Sequence, residues 1–232
     1  MTGCLTVGTY IPPHFRQDDA ECLAEIVEGH PFGALVLADE GQMLSVHLPF
    51  LRFGERSDPT QWRFESHLAR VNPVADALAD GREMPAILIF TGPDAYVDPH
   101  WYVDGRETSV PTWNYQAVHV RGTVRLAGEG EPGWLDRHLH DLIDTHQARI
   151  DAEPFDWDHL PERQIARMQA AIVGIELRPE RVDGVEKLGQ NKTVADRWGV
   201  VVGLQAQSDH EAHMLARLME ARAPDNDDRD DR

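Results

Sequence analysis

The sequence predicts a mainly β, α+β chain: an antiparallel barrel with peripheral helices. Three observations carry this. FGALVLADEGQMLSVHLPFL (32–51) reads as a hairpin, an apolar strand, a DEG turn and a returning strand. AVHVR (117–121) alternates apolar and polar side chains, the period of a two-faced strand. Elsewhere the strand-like segments are joined by turns or short helices, not by the regular crossover helices that a doubly wound parallel sheet requires. Five to seven strands are expected.

The elements follow in order. Residues 16–33, RQDDAECLAEIVEGHPFG, read as a helix capped by Asp18 or Asp19, with Leu23, Ile26 and Val27 as its apolar stripe and Gly29 and Pro31 as its stop. After the hairpin, Trp62 and Phe64 alternate with polar residues and begin a strand. Asn72-Pro73 opens a short helix, Asn as the cap and Pro at the first helical position, which Gly81 ends. PAILIFTGP is a buried strand, and DAYVDPHWYVDGRETS reads as a long aromatic loop. VPTWNYQAVHVRGTVRLAG carries β-character onward from Val110. EPGWLDRHLHDLIDTHQARI forms a helix with Trp134, Leu135, Leu139, Leu142 and Ile143 on one side. A helix in PERQIARMQA then leads into the strand AIVGIELRPERVDGVEKL. SDHEAHMLARLMEA is a last helix with Ser208 and Glu211 as its capping box. The organisation expected is one barrel domain over 1–205, a C-terminal helix over 206–223 and a solvated, disordered acidic tail over 224–232.

Composition narrows the function. The chain has 232 residues, 41% of them hydrophobic, and a formal net charge of −18. A duplex-DNA binder needs a basic face for the phosphates. No Lys/Arg run occurs here, which disfavours direct DNA contact. Cys4 and Cys22 have no CxxC spacing and form no disulfide framework, so a reducing compartment is expected. No signal peptide and no membrane-length apolar run is visible, and a cytoplasmic protein follows as the expectation. There is no Walker loop, GxGxxG, GxSxG or HExxH.

The twelve histidines do not fall into a metal-binding pattern. His138 and His140 are two apart on their helix and do not share a face. His210 and His213 are three apart and could, yet no third ligand is evident, so solvated histidines and no metal are expected. ESHLARVNP places Ser66, His67 and Arg70 where a strand passes into a helix. A hydroxyl, an imidazole and a guanidinium there make either an anion pocket or a capped, charged surface. EKLGQNK puts Lys187, Gln190 and Asn191 just after a strand, as a phosphate or heterocycle contact or as a polar turn. His47 lies mid-strand and reads as a half-buried residue. Trp113, Asn114 and Tyr115, leading into the alternating strand, are either a packed corner or a shelf for a ligand.

Taken together, YIPPHFRQDD, HPFGALV, HLPF, SHLARVNP, FTGPDAYVDPHWY, VPTWNYQAVHVRG, AIVGIEL and KLGQNK, in this order, resemble the PaiB-type proteins, known as FMN-binding negative transcriptional regulators. That family is similar to the FMN-binding split β-barrels, antiparallel and Greek-key-like, which include pyridoxamine phosphate oxidases and flavin reductases. The resemblance implies FMN as cofactor and a homodimer with the flavin in the groove between subunits. It places Ser66, His67 and Arg70 near the phosphate, His47 and Leu48 beside the flavin, and Leu68 in the cofactor site. Trp113 and Asn114 would approach from their strand, and Lys187, Gln190 and Asn191 from the C-terminal turn. Members often carry Gly before HLAR and Ser in KLSQN, where this chain has Ser66 and Gly189; His67 stands where the oxidases use a stronger cation. The alternatives are a flavin-dependent oxidoreductase and a module for haem or another flat ligand, with His47, His67 or His119 as iron ligands. No residue declares itself catalytic.

Overall fold

The computed structural model describes residues 8–128 and 130–223. The expected acidic tail and Cys4 lie outside them. In chain order the elements are β1 (Arg16–Gln17), α1 (Ala20–Gly29), β2 (Phe32–Asp39), β3 (Gln42–Pro49), β4 (Leu51–Phe53), β5 (Arg63–Ala69), α2 (Pro73–Ala77), β6 (Met84–Val97), α3 (Gly105–Thr108), β7 (Thr112–Ala127), α4 (Trp134–Arg149), α5 (Glu162–Ala170), β8 (Ile172–Lys187), α6 (Val194–Gln205) and α7 (His210–Ala221). The strands form one eight-stranded sheet in the order β3-β2-β6-β7-β8-β5-β4, with β1 added against β8. The pairs β2–β3, β2–β6, β4–β5, β5–β8 and β1–β8 are antiparallel. The path ends at β3 and β4, so the sheet is not closed, and it has one strand more than expected.

Local chemistry explains most element boundaries. Asp19 caps α1 by accepting from Cys22 N, and Asn72 caps α2 by accepting from Val74 N. Both satisfy an orphan N–H of a first turn. The β2–β3 turn carries Glu40 and Gly41 at φ 48° and 82°, the two positive values that a two-residue hairpin turn needs. Four expectations are corrected. The segment read as an aromatic loop begins as strand, since β6 runs on to Val97, and a 3-10 turn (Pro99–Trp101) and α3 fill much of the rest. Trp113, Asn114 and Tyr115 lie inside β7 rather than leading into it. The cap of α7 is Asp209, accepting from Glu211 N, not Ser208. Finally, α6 was not expected at all. Its β-branched residues and two glycines are poor helix formers. Gly203 is there because a Cβ would come within 2.2 Å of the Trp101 ring.

The described chain divides into two compact units. One comprises residues 19–90 and 118–182; the other comprises 91–117 with the described parts of 1–18 and 183–232. The first has a core in which Leu35, Phe64, Leu88, Val118, Val120, Ile175 and Leu177 are fully buried. Phe64 and Phe90 pack at 5.5 Å between ring centroids, and Leu23, Ile26 and Val27 of α1 join the same cluster, as their spacing predicted. The second unit centres on Val97, Leu188, Leu204, Leu215 and Met219, with α6 packed on α7.

Candidate ligand-binding site

In the first unit the site is built on β5. Arg63, Glu65 and His67 alternate with Phe64, Ser66 and Leu68, so the two sets point to opposite faces. The apolar set enters the core. Ser66 is completely buried, and its hydroxyl donates to Pro49 O at 2.6 Å. The charged set is covered too: Arg137 and His138 of α4 reach Glu65. Glu65 is itself fully buried and stands directly across β5–β8 from Glu176, which is 5% exposed.

Two carboxylates facing each other away from water would repel unless paired. Here arginines surround them. Glu65 pairs with Arg63 at 2.8 Å and with Arg137 at 3.2 Å. Glu176 pairs with Arg125 at 3.0 Å and Arg178 at 2.8 Å, and Arg63 approaches it at 3.4 Å. Four guanidinium groups therefore serve two carboxylates, and the four arginine side chains remain partly or well exposed.

His138 lies beside this network. It is fully buried, against the expectation of a solvated histidine, because it takes the second position of an i, i+4, i+8 stripe with Trp134 and Leu142. Its ring stacks on Trp134 at 5.0 Å and 12°. Trp134 in turn occupies the space above Gly174, where a Cβ would meet the indole at 2.1 Å. His138 Nε2 is 3.1 Å from His67 Nδ1, and His138 Nδ1 is 3.8 Å from Glu65 Oε2. Desolvation, then the fields of His67 and Arg137, push the His138 pKa down to about 3. Burial also lowers that of His67.

The other residues singled out in this unit are placed as follows. Arg70 is exposed and donates from Nε to Ala170 O and from Nη2 to Ile172 O, both at 3.1 Å. It lines an open cleft of about 360 Å3 together with Gly128, Gly133, Trp134, Gln169 and Gly174. His47 is exposed on β3, with its ring stacked 6.1 Å from Phe32, while Leu48 and Leu68 are buried.

The second unit holds the rest. Trp113 is 54% exposed, and its ring meets Tyr96 edge-on at 6.1 Å; Asn114 is buried, with its amide 3.7 Å from Met219 Sδ. Lys187 donates to Thr112 Oγ1 at 2.5 Å and to Trp113 O at 2.7 Å, and burial lowers its pKa. Gln190 braces its own turn, accepting from Leu188 N and donating to Glu186 O, and Asn191 is exposed. Among the described residues no cluster of three or more metal-ligating side chains occurs. No helix there is long and apolar enough to cross a membrane.

The sequence reading missed Glu65, Glu176 and His138. The signal for Glu65 is its place as third residue of the strand RFESHLA, with arginine and histidine two residues either side on the same face.

Comparison with solved structures shows that this split-barrel fold is shared with flavin-binding proteins. The flavocytochrome Anf3 from Azotobacter vinelandii superposes with a TM-score of 0.56 at 14% identity, covering 78% of this chain and 74% of that one. An FAD- and haem-binding protein from Mycobacterium smegmatis gives 0.51 at 18% identity, covering 75% and 74%. Residues 9–181 match the family model described as "Putative FMN-binding domain", and the chain belongs to that family. Its relatives include the Bacillus subtilis protease synthase and sporulation protein PAI 2, 32% identical over 214 residues, 91% of this chain and 96% of that one. An uncharacterised Aspergillus fumigatus protein is 27% identical over 240 residues, 86% and 92% of the two chains.

Proposed function

We propose that the protein binds FMN and works as a flavin-loaded homodimer in the control of gene expression, through a protein partner rather than through DNA. The observation that carries the flavin reading is the match of residues 9–181 to an FMN-binding family. FMN couples a flat, amphipathic ring to a phosphate dianion, so its site needs a cation at one end and an apolar wall at the other.

The donor set fits this in part. Arg70 suits the phosphate: two of its nitrogens are held by backbone carbonyls, which fixes the guanidinium plane, and Nη1 remains for an anion. His47, stacked with Phe32 on an exposed strand, suits the flavin side. The Ser66 hydroxyl has its proton committed to Pro49 O, so Arg70 bears the phosphate contact. In the other unit, Trp113 offers an exposed ring to a flat ligand, whereas Lys187 and Gln190 brace the backbone. FMN, once bound, supplies one-electron and hydride chemistry; the chain's own part is to hold and orient it.

The net charge of −18 supports indirect regulation, because it opposes approach to a polyanion. The test of the flavin reading compares FMN with riboflavin, which lacks the phosphate. Arg70→Ala should weaken FMN at least tenfold, as a charge-assisted contact is worth about 1.5–3 kcal/mol, and leave riboflavin unchanged. Equal FMN affinity in both proteins would remove Arg70 from the site. A Soret band in the purified protein, in place of flavin absorbance, would favour haem instead.

A further inference from the structure

Glu65, His138 and His67 form a line from a fully buried carboxylate to a half-buried imidazole. Each step has one favourable direction. Glu65 lies between Arg63 and Arg137, paired with both, and a carboxylate paired with guanidinium groups only accepts. The ring nitrogen of His138 that faces it at 3.8 Å, Nδ1, makes no hydrogen bond. A lone pair turned toward that carboxylate would be repelled, whereas an N–H is attracted over the same distance. His138 therefore carries its proton on Nδ1. Being neutral, it presents a lone pair at Nε2, and the 3.1 Å contact then requires His67 to donate from Nδ1. The second nitrogen of His67, Nε2, is left bare. A ring nitrogen's protonation is set by the hydrogen bond that its partner nitrogen makes, and a buried carboxylate behind a histidine commonly fixes it.

We propose that Glu65 and His138 are positioning residues that preset His67 as a hydrogen-bond acceptor, so that His67 Nε2 receives an N–H or O–H group of the bound ligand and not its phosphate. The choice of ligand rests on the flavin reading above; the preset tautomer does not. A flavin carries both kinds of donor, an imide N–H on its ring and hydroxyls on its ribityl chain. A bare imidazole nitrogen would instead face a phosphate oxygen lone pair to lone pair.

Protonation of His67 would reverse this role, and the surroundings oppose it. The charged groups facing the line are Glu65, Glu176 and the guanidinium groups of Arg63, Arg125, Arg137 and Arg178. Four guanidinium groups stand against three carboxylates, since Arg137 also pairs with Asp141 at 3.1 Å; this excess of cations disfavours a further positive charge, and Trp134 excludes water from His138 on its stacked side. The arrangement therefore suits a persistent neutral acceptor better than a proton store.

The test is long-range proton–nitrogen correlation NMR on the full chain with 15N-labelled histidine at neutral pH. Protons on Nδ1 of both His67 and His138, with Nε2 of His67 bare, are expected. A proton on Nε2 of His67 overturns the proposal. In Glu65→Gln, which lacks the fixing charge, His67 should become a mixture of tautomers; an unchanged spectrum would overturn the role of Glu65. Should that variant not fold, the wild-type spectrum decides. Titration with FMN and with riboflavin then reads the ligand contact. His67→Ala should weaken both by the same factor, about tenfold for one hydrogen bond, and weakening of FMN alone would overturn the acceptor role. If wild-type protein binds neither flavin, the flavin reading fails while the tautomer measurement still decides the preset.

Discussion

His138 shows how a single side chain couples burial to pH. Its folded pKa of about 3 lies below the ordinary value of 6.5. The unfolded chain therefore binds a proton at this site over a range in which the folded chain does not. The associated stability is fully present above pH 6.5 and is lost as pH falls toward 3. The slope approaches one proton, ~1.4 kcal/mol per pH unit. Chemical denaturation of wild type and His138→Gln at several pH values isolates it, because carboxylate titration is shared by both proteins. The difference between them should shrink steadily as pH drops through that window; a constant difference would mean that His138 is protonated in the folded state. The residues of this network were hard to read in the sequence. His138 and Glu65 come from α4 and β5, far apart in the chain, and neither local pattern announces the other. His67 and Arg70 could be singled out as candidates because they sit together in one short segment beside the Asn72-Pro73 helix start.

At the scale of elements, what local chemistry writes into the chain was readable and what tertiary packing imposes was not. The Glu40-Gly41 turn, the Asp19 and Asn72 caps and the apolar stripe of α1 each follow from a few adjacent residues. α6 does not. Val200, Val201 and Val202 favour strand, and Gly199 and Gly203 weaken any helix. The helix forms because its glycines admit the Trp101 backbone and ring, where Cβ atoms would come within 1.9 and 2.2 Å. This reverses the usual effect of a substitution. Gly→Ala in an exposed helix stabilises by roughly 1 kcal/mol, but Gly203→Ala should cost about 1–3 kcal/mol through overpacking. A fall in Tm is expected, and a rise would show that the Trp101 contact does not constrain the helix. The long reach of β6 has a similar origin: its Asp94-to-Val97 end alternates exposed and buried residues, a pattern hidden among aromatics typical of loops.

For the whole molecule, composition already disfavoured direct DNA contact, the order of strands and short connections pointed to an antiparallel barrel, and the family resemblance implied the split form of it. The open ends of the sheet could not be read from local sequence, since closure depends on which distant strands pair. Two consequences belong to this scale. Sedimentation at micromolar concentration should give a dimer that persists on dilution, and a monomer would remove the shared flavin groove from the account. Mobility-shift assays at physiological salt should show no retardation of duplex DNA by the protein alone; tight, salt-sensitive binding would contradict action through a partner. The central claim is that this chain holds FMN. Its most direct test is titration of FMN into purified apo protein, followed by flavin fluorescence. Saturable binding with a Kd near micromolar or tighter, about −8 kcal/mol, is expected. A linear response with no saturation would mean that the fold is kept for another ligand or partner, and would contradict the account.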